Sequence, residues 1–204
     1  MIHFSRADIN NFHHLYRINL INSCSGYKSA NLIGTKSPEG IENVAVFSSV
    51  THMGSNPPLL GVFFRPTTVL RNTYENIKRT GTFTINHIYD TILKDAHHTS
   101  AKYDKSISEF EKTNLKPEYL NNFPAPFVEG APIKLGMKFV EEYHIKSNDI
   151  ILVIGEIIDL YIKDDMLQED GFINLSLGKV ASINGLDGYT IPNLEKRLGY
   201  QRPK

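Results

Sequence analysis

A mainly β chain that closes into a barrel, with a few short helices on its periphery, is what this sequence predicts. Three observations carry that reading. Runs rich in Val, Ile, Phe and Thr recur along most of the length. Helix-start signals are few, and the helices they open are short. No repeat, heptad run, low-complexity tract or linker divides the 204 residues, so one domain spanning residues 1–204 is expected.

The elements follow in order. Residues 5–16 are expected as a short amphipathic helix, with Ser5 as cap and Ile9, Phe12 and Tyr16 on one face. Strands are expected near residues 28–35, 43–50, 59–65 and 82–87. Ser37-Pro38-Glu39-Gly40 is a turn signal that makes the first two a hairpin. A polar, hydroxyl-rich turn and the Pro57-Pro58 hinge separate the second strand from the third. Asn72 and Glu75 stand at capping-box spacing, which predicts a helix from Thr73 to about Arg79 that closes on Gly81.

Ser106 and Glu109 repeat that spacing and predict a second helix carrying Phe110. Residues 116–132 hold four prolines and read as an ordered loop whose Phe123, Phe127 and Val128 need burial. Two long strands, 133–145 and 150–162, are joined by Lys146-Ser147-Asn148-Asp149. Shorter strands at 171–175 and 179–183 and a helical turn at 192–198 complete the expectation.

Composition narrows the function. Lys plus Arg and Asp plus Glu balance at 22 each, so no charge excess points to nucleic acid or to an anionic membrane surface. An apolar fraction of 41%, with 11 Phe and 10 Tyr, is enough for a substantial core. Cys24 is the only cysteine, which excludes an intramolecular disulfide and fits a reducing compartment. The first residues lack a signal-type apolar region, and no apolar run approaches the roughly 20 residues of a membrane span. A cytoplasmic protein is expected.

The junction at Arg71-Asn72-Thr73 has a chemical consequence. A helix start leaves its first N–H groups free and attracts anions, and Arg71 adds a planar, charged donor fork. Close by in sequence stands a row of small hydroxyl side chains, Ser48, Ser49 and Thr51. A phosphorylated, flat cofactor is the expected ligand. Histidines come as adjacent pairs, His13-His14 and His97-His98, with no His-Glu-x-x-His and no second cysteine, so no metal is expected.

Asn43-Val44-Ala45-Val46-Phe47-Ser48-Ser49-Val50-Thr51, followed by Ser55-Asn56-Pro57-Pro58, resembles the signature of the flavin reductase-like, FMN-binding split-barrel family. Arg71 to Ile77, Gly81-Thr82-Phe83-Thr84-Ile85-Asn86, the segments at His98-Thr99-Ser100 and Ser108-Glu109-Phe110-Glu111, and Gly185 to Tyr189 resemble further motifs in the family's order. Ser49 and Val50 stand where the family shows an aromatic pair, Thr51 where it shows Asn, and Asn72 where it shows Asp. The resemblance implies a closed split β-barrel of Greek-key type and a homodimer with FMN at the subunit interface.

It also implies where a flavin would be held. The phosphate falls to Arg71, Asn72 and Thr73, with Arg65 in reach if the phosphate lies near it. Ser48, Ser49, Val50 and Thr51 fall along the ribityl chain and ring edge. Asn43 or Asn86 can match the pyrimidine edge, and His98 is a candidate contact to flavin or nicotinamide. No catalytic side chain is expected, because hydride transfer is the cofactor's chemistry.

The expected activity is NAD(P)H-dependent flavin reduction, with electrons passed to free flavin, oxygen or a partner monooxygenase. A non-enzymatic FMN carrier, relay or sensor is the alternative, since there is no Gly-x-Gly-x-x-Gly fingerprint. A barrel holding another ligand, such as pyridoxal phosphate or haem, is the third.

Overall fold

Alternating apolar residues build one large antiparallel sheet in the computed structural model, which describes residues 1–203. Two short helices, α1 (Arg6–Asn11) and α2 (His14–Cys24), precede β1 (Lys28–Ser29), β2 (Asn31–Lys36), β3 (Glu42–Phe47), β4 (Val50–Ser55) and β5 (Pro58–Phe64). Helix α3 (Asn72–Thr80) leads into β6 (Thr82–His87), α4 (Leu93–His98), α5 (Glu109–Lys112) and the paired strands β7 (Pro117–Glu118) and β8 (Phe127–Val128). The long hairpin of β9 (Ile133–Ile145) and β10 (Ile150–Ile162) follows, then β11 (Ser182–Asn184) and β12 (Gly188–Thr190). Strand accounts for 36% of the chain and helix for 21%, so the protein is mainly β. Among the described residues, no helix is long and apolar enough to cross a membrane.

The seven-stranded sheet runs β3-β2-β6-β9-β10-β5-β4. Its two edges, β3 and β4, are separated in the chain only by Ser48 and Ser49. Strands in a sheet lie about 4.8 Å apart, so two residues cannot cross a flat sheet of this width. The sheet therefore curls until its edges meet at this end. The Phe47 and Phe64 rings pack edge-on across the seam with centroids 5.0 Å apart. No ladder joins β3 to β4 among the described residues, so the sheet is curled but its hydrogen bonding stays open where a closed barrel was expected. Past the Ser48-Ser49 turn, β4 pairs with β5.

Period-two alternation separates two cores. Ile33 of β2, Phe83 and Ile85 of β6, and Leu135 and Met137 of β9 fill the inside of the curl. Leu32 of β2 and Val44 of β3 point the other way and pack with Ile88, Phe110 and Val128. Close approach on that outer side is tight at Gly34, where a Cβ would lie 2.1 Å from the Pro126 carbonyl oxygen.

Several elements differ from expectation for identifiable reasons. Ser5 caps α1 through a capping box with Asp8, but Phe12 is extended, and a separate helix, α2, runs on to Cys24. The strand expected to reach residue 50 stops at Phe47, and Thr51 belongs to β4 rather than to a turn. Arg71, not Asn72, is the cap of α3, and no side chain caps it, so the Asn72/Glu75 box does not form. Ser106 bonds Asp104 instead of capping, which delays α5 to Glu109. Residues 171–175 contribute only the Leu167–Ile173 bridge, the 179–183 strand begins at Ser182, and residues 192–198 have no regular structure.

Two predictions arise here. Gly81 ends α3 at φ 74°, a left-handed conformation, so Gly81→Ala should lower unfolding stability by about 1 kcal/mol in urea titration. His87 is pushed down to about 4 by burial, and its Nδ1 is buried without a partner. The unfolded chain binds a proton at His87 near pH 6.5 that the folded one refuses until about 4, so stability falls as pH drops through that window. His87→Gln should flatten this loss, about 3 kcal/mol over the window, in denaturation curves across the same range.

Candidate functional site

Beside the seam where the sheet edges meet, a cavity of about 940 Å³ opens. The end of β3, the Ser48-Ser49 turn, the end of β5 and the start of α3 form one part of its wall. The end of α4 and the segment after it, the C-terminal end of α2, Lys28 of β1, Glu109 of α5, Ile150 of β10 and the β11–β12 turn line the remainder.

Arg71, Asn72 and Thr73 all line this cavity. The Arg71 Nε is buried and has no hydrogen-bond partner. Such an orphan donor on a charged group is costly unless a ligand meets it. Next to it the nine-residue helix α3 starts with no side-chain cap, so its first N–H groups and the positive end of its dipole are open to an anion. Asn43, only 6% exposed, donates from Nδ2 to the Thr73 Oγ1 at 3.0 Å. Asn43 thus lines the cavity and also fixes the Thr73 hydroxyl. The two observations together, orphan guanidinium and uncapped helix start, fit a phosphate.

Ser48, Ser49 and Arg65 also line the cavity. The Ser49 hydroxyl donates to the Phe63 carbonyl at 2.7 Å, so it braces the seam. Val50 and Thr51 do not line it: they pair with Val62 and Gly61 in β4, and the Val50 carbonyl accepts from the Ser29 hydroxyl. Asn86 does not line it either. Its side chain is fully buried, donates to the Leu32 carbonyl at 3.2 Å and the Thr84 hydroxyl at 2.9 Å, and accepts from the Val128 amide at 3.0 Å. Asn86 faces the outer core because its neighbours Ile85 and Phe83 take the inner one.

His98 does not line the cavity; its Nε2 lies 2.7 Å from the hydroxyl oxygen of Tyr103, which does. His97 is the histidine in the wall, its Nδ1 3.2 Å from the Tyr189 hydroxyl oxygen. Successive residues on α4 diverge by about 100°, so only one of an adjacent pair can face the cavity. Sequence reasoning also missed Lys28, Lys102, Tyr103 and Glu109. Lys102 and Tyr103 sit in a polar stretch without periodicity, where no local signal marks them.

The electrostatics favour an anionic occupant. Four cations, Lys28, Arg65, Arg71 and Lys102, line the cavity, and none is in an ion pair among the described residues. Lys28 spends its ammonium on the Asn22 carbonyl and the Ser25 hydroxyl. The acids of the wall are the exposed Asp187 and the buried Glu109.

Comparison with known proteins bears on the fold. A split-barrel protein from Shewanella frigidimarina, assigned as a flavin reductase, is 48% identical, with 98% of this chain and 100% of that chain covered at a TM-score of 0.95. Nitrilotriacetate monooxygenase component B from Bacillus cereus shares the fold at 19% identity and a TM-score of 0.84, over 97% and 98% of the two chains. An FMN-binding protein from Thermus thermophilus does so at 16% identity and a TM-score of 0.73, over 98% and 99%. Residues 26–178 match the family described as the flavin reductase like domain, and this chain belongs to that family.

Proposed function

We propose that the cavity holds FMN and that the chain, as one domain, works as an NAD(P)H-dependent flavin oxidoreductase. The observation that carries this reading is the buried, unpartnered Arg71 Nε beside the uncapped start of α3. Arg71 and the α3 amides hold the phosphate. Thr73, set by Asn43, donates its hydroxyl to the same group. Ser48 and the backbone of the Ser48-Ser49 turn flank the remainder of the ligand, while Phe47, Phe63 and Ala45 supply apolar wall. Bound FMN supplies two-electron hydride chemistry, so the protein's share is orientation and electrostatics. Arg65 and Lys102, unpaired and at the cavity, attract an anionic co-substrate such as a nicotinamide nucleotide.

The protein works as a cytoplasmic homodimer in this reading, and its electrons pass to free flavin, oxygen or a monooxygenase partner. Kinship of fold with a monooxygenase component B supports the last of these. Anaerobic mixing of the FMN-loaded protein with NADH and with NADPH is the test. Rapid bleaching of the flavin band with one of them is expected. A band that persists with both replaces the reductase by an FMN carrier or relay, the reading favoured by the lack of a Gly-x-Gly-x-x-Gly segment.

A further inference from the structure

Glu109 is the buried acid of the cavity wall, only 5% exposed. Its Oε2 accepts from the Val44 amide at 3.2 Å. The residue before Val44 is Asn43, whose side chain holds Thr73 at the start of α3. One peptide unit therefore links Glu109 to the phosphate seat. No cation is paired with Glu109 among the described residues. Burial pushes its carboxyl above the usual carboxylate range, against a smaller opposing pull from backbone amides.

The charged and titratable groups around it are engaged elsewhere or belong to the ligand site. On β3, Glu42 accepts from the Tyr119 hydroxyl. On α4, Asp95 accepts from Asn114, and His97 meets Tyr189. On α5 itself, Glu111 and Lys112 are exposed. Across the cavity stand Arg65, Arg71, Lys28, Lys102, Tyr103 and Asp187. None of them supplies a counter-charge in contact with the Glu109 carboxyl.

We propose that Glu109 is a proton-linked specificity residue, which accepts the phosphate-bearing ligand as the neutral carboxylic acid and so couples ligand binding to proton uptake. The inference rests on the FMN reading above. A buried carboxylate and a phosphate dianion lining one cavity repel each other, whereas the neutral acid removes the repulsion and adds a donor. Ligand affinity through this residue accordingly falls as pH rises.

The test is the FMN dissociation constant of wild type and of Glu109→Gln, by fluorescence quenching from about pH 5.5 to about pH 8. The phosphate's own second ionisation near about 6 acts equally on both proteins and cancels in their ratio. The ratio of wild-type to variant Kd is expected near unity at the acid end. It should rise with pH by up to about tenfold per unit. A ratio that stays flat overturns the proposal.

Should Glu109→Gln fail to fold, calorimetry of FMN binding to wild type near pH 7 in two buffers of different ionisation enthalpy decides instead. Net proton uptake supports the proposal, because preference for the phosphate dianion alone releases protons. Release or no exchange overturns it. Absence of FMN binding at every pH is a different result: it removes the flavin reading and this inference with it.

Discussion

Arg71→Ala combined with Thr73→Ala is expected to weaken FMN binding by about a hundredfold or more. Hydrogen bonds to charged groups contribute about 1.5–3 kcal/mol, and the pair removes two donors to the phosphate, one of them itself charged, from a partly buried site. The variant should retain its affinity for riboflavin, which carries no phosphate. Arg71→Lys should fall between the two, since it keeps the charge but loses the planar fork. Folding stability should change little at Arg71, whose Nε bonds nothing in the protein. At Thr73 the lost contact with Asn43 makes Thr73→Ser the milder control. Parallel fluorescence titrations with FMN and riboflavin check this; unchanged FMN affinity in the double variant would sink the phosphate assignment.

Asn86→Ala is expected to act on the fold and not on the ligand. Its side chain satisfies the Leu32 carbonyl and the Val128 amide, both in the core between the sheet and the 116–132 loop. Alanine leaves the Val128 amide buried without a partner, at about 1–3 kcal/mol, and a small void in addition, while the Leu32 carbonyl keeps its ladder pairing with residue 86. A loss of about 2–4 kcal/mol in urea unfolding is the expected outcome. FMN affinity measured well below the unfolding transition should be unchanged. Intact stability with lost FMN binding would return Asn86 to the ligand site.

The parts legible in the sequence were those bounded by strong local chemistry. The 82–87, 133–145 and 150–162 strands lie where β6, β9 and β10 are, because Gly81, Pro132 and the Lys146–Asp149 turn punctuate long β-branched runs. The Arg71-Asn72-Thr73 junction was legible as a helix start, and the cavity does gather those three residues. Its cap was misplaced by one residue because capping-box spacing does not show which side chain turns to solvent.

Other features depend on contacts far apart in sequence. Asn86 and Asn43 are both asparagines on strands. Only the partner strands and the 116–132 loop decide that the first bonds the outer core and the second faces the cavity. His97 and His98 could not be told apart without the phase of α4, a helix with no periodic signal in six residues. Glu109 looked like a helix-start acid, and its burial against Val44 appears only once α5 packs on β3.

Titration of FMN and of riboflavin into the wild-type protein, followed by fluorescence quenching, tests the central claim most directly. A phosphate seat at Arg71 and α3 predicts that FMN binds about a hundredfold or more tightly than riboflavin, with the advantage shrinking as salt is added. Equal affinities for the two, or no binding of either, would contradict it.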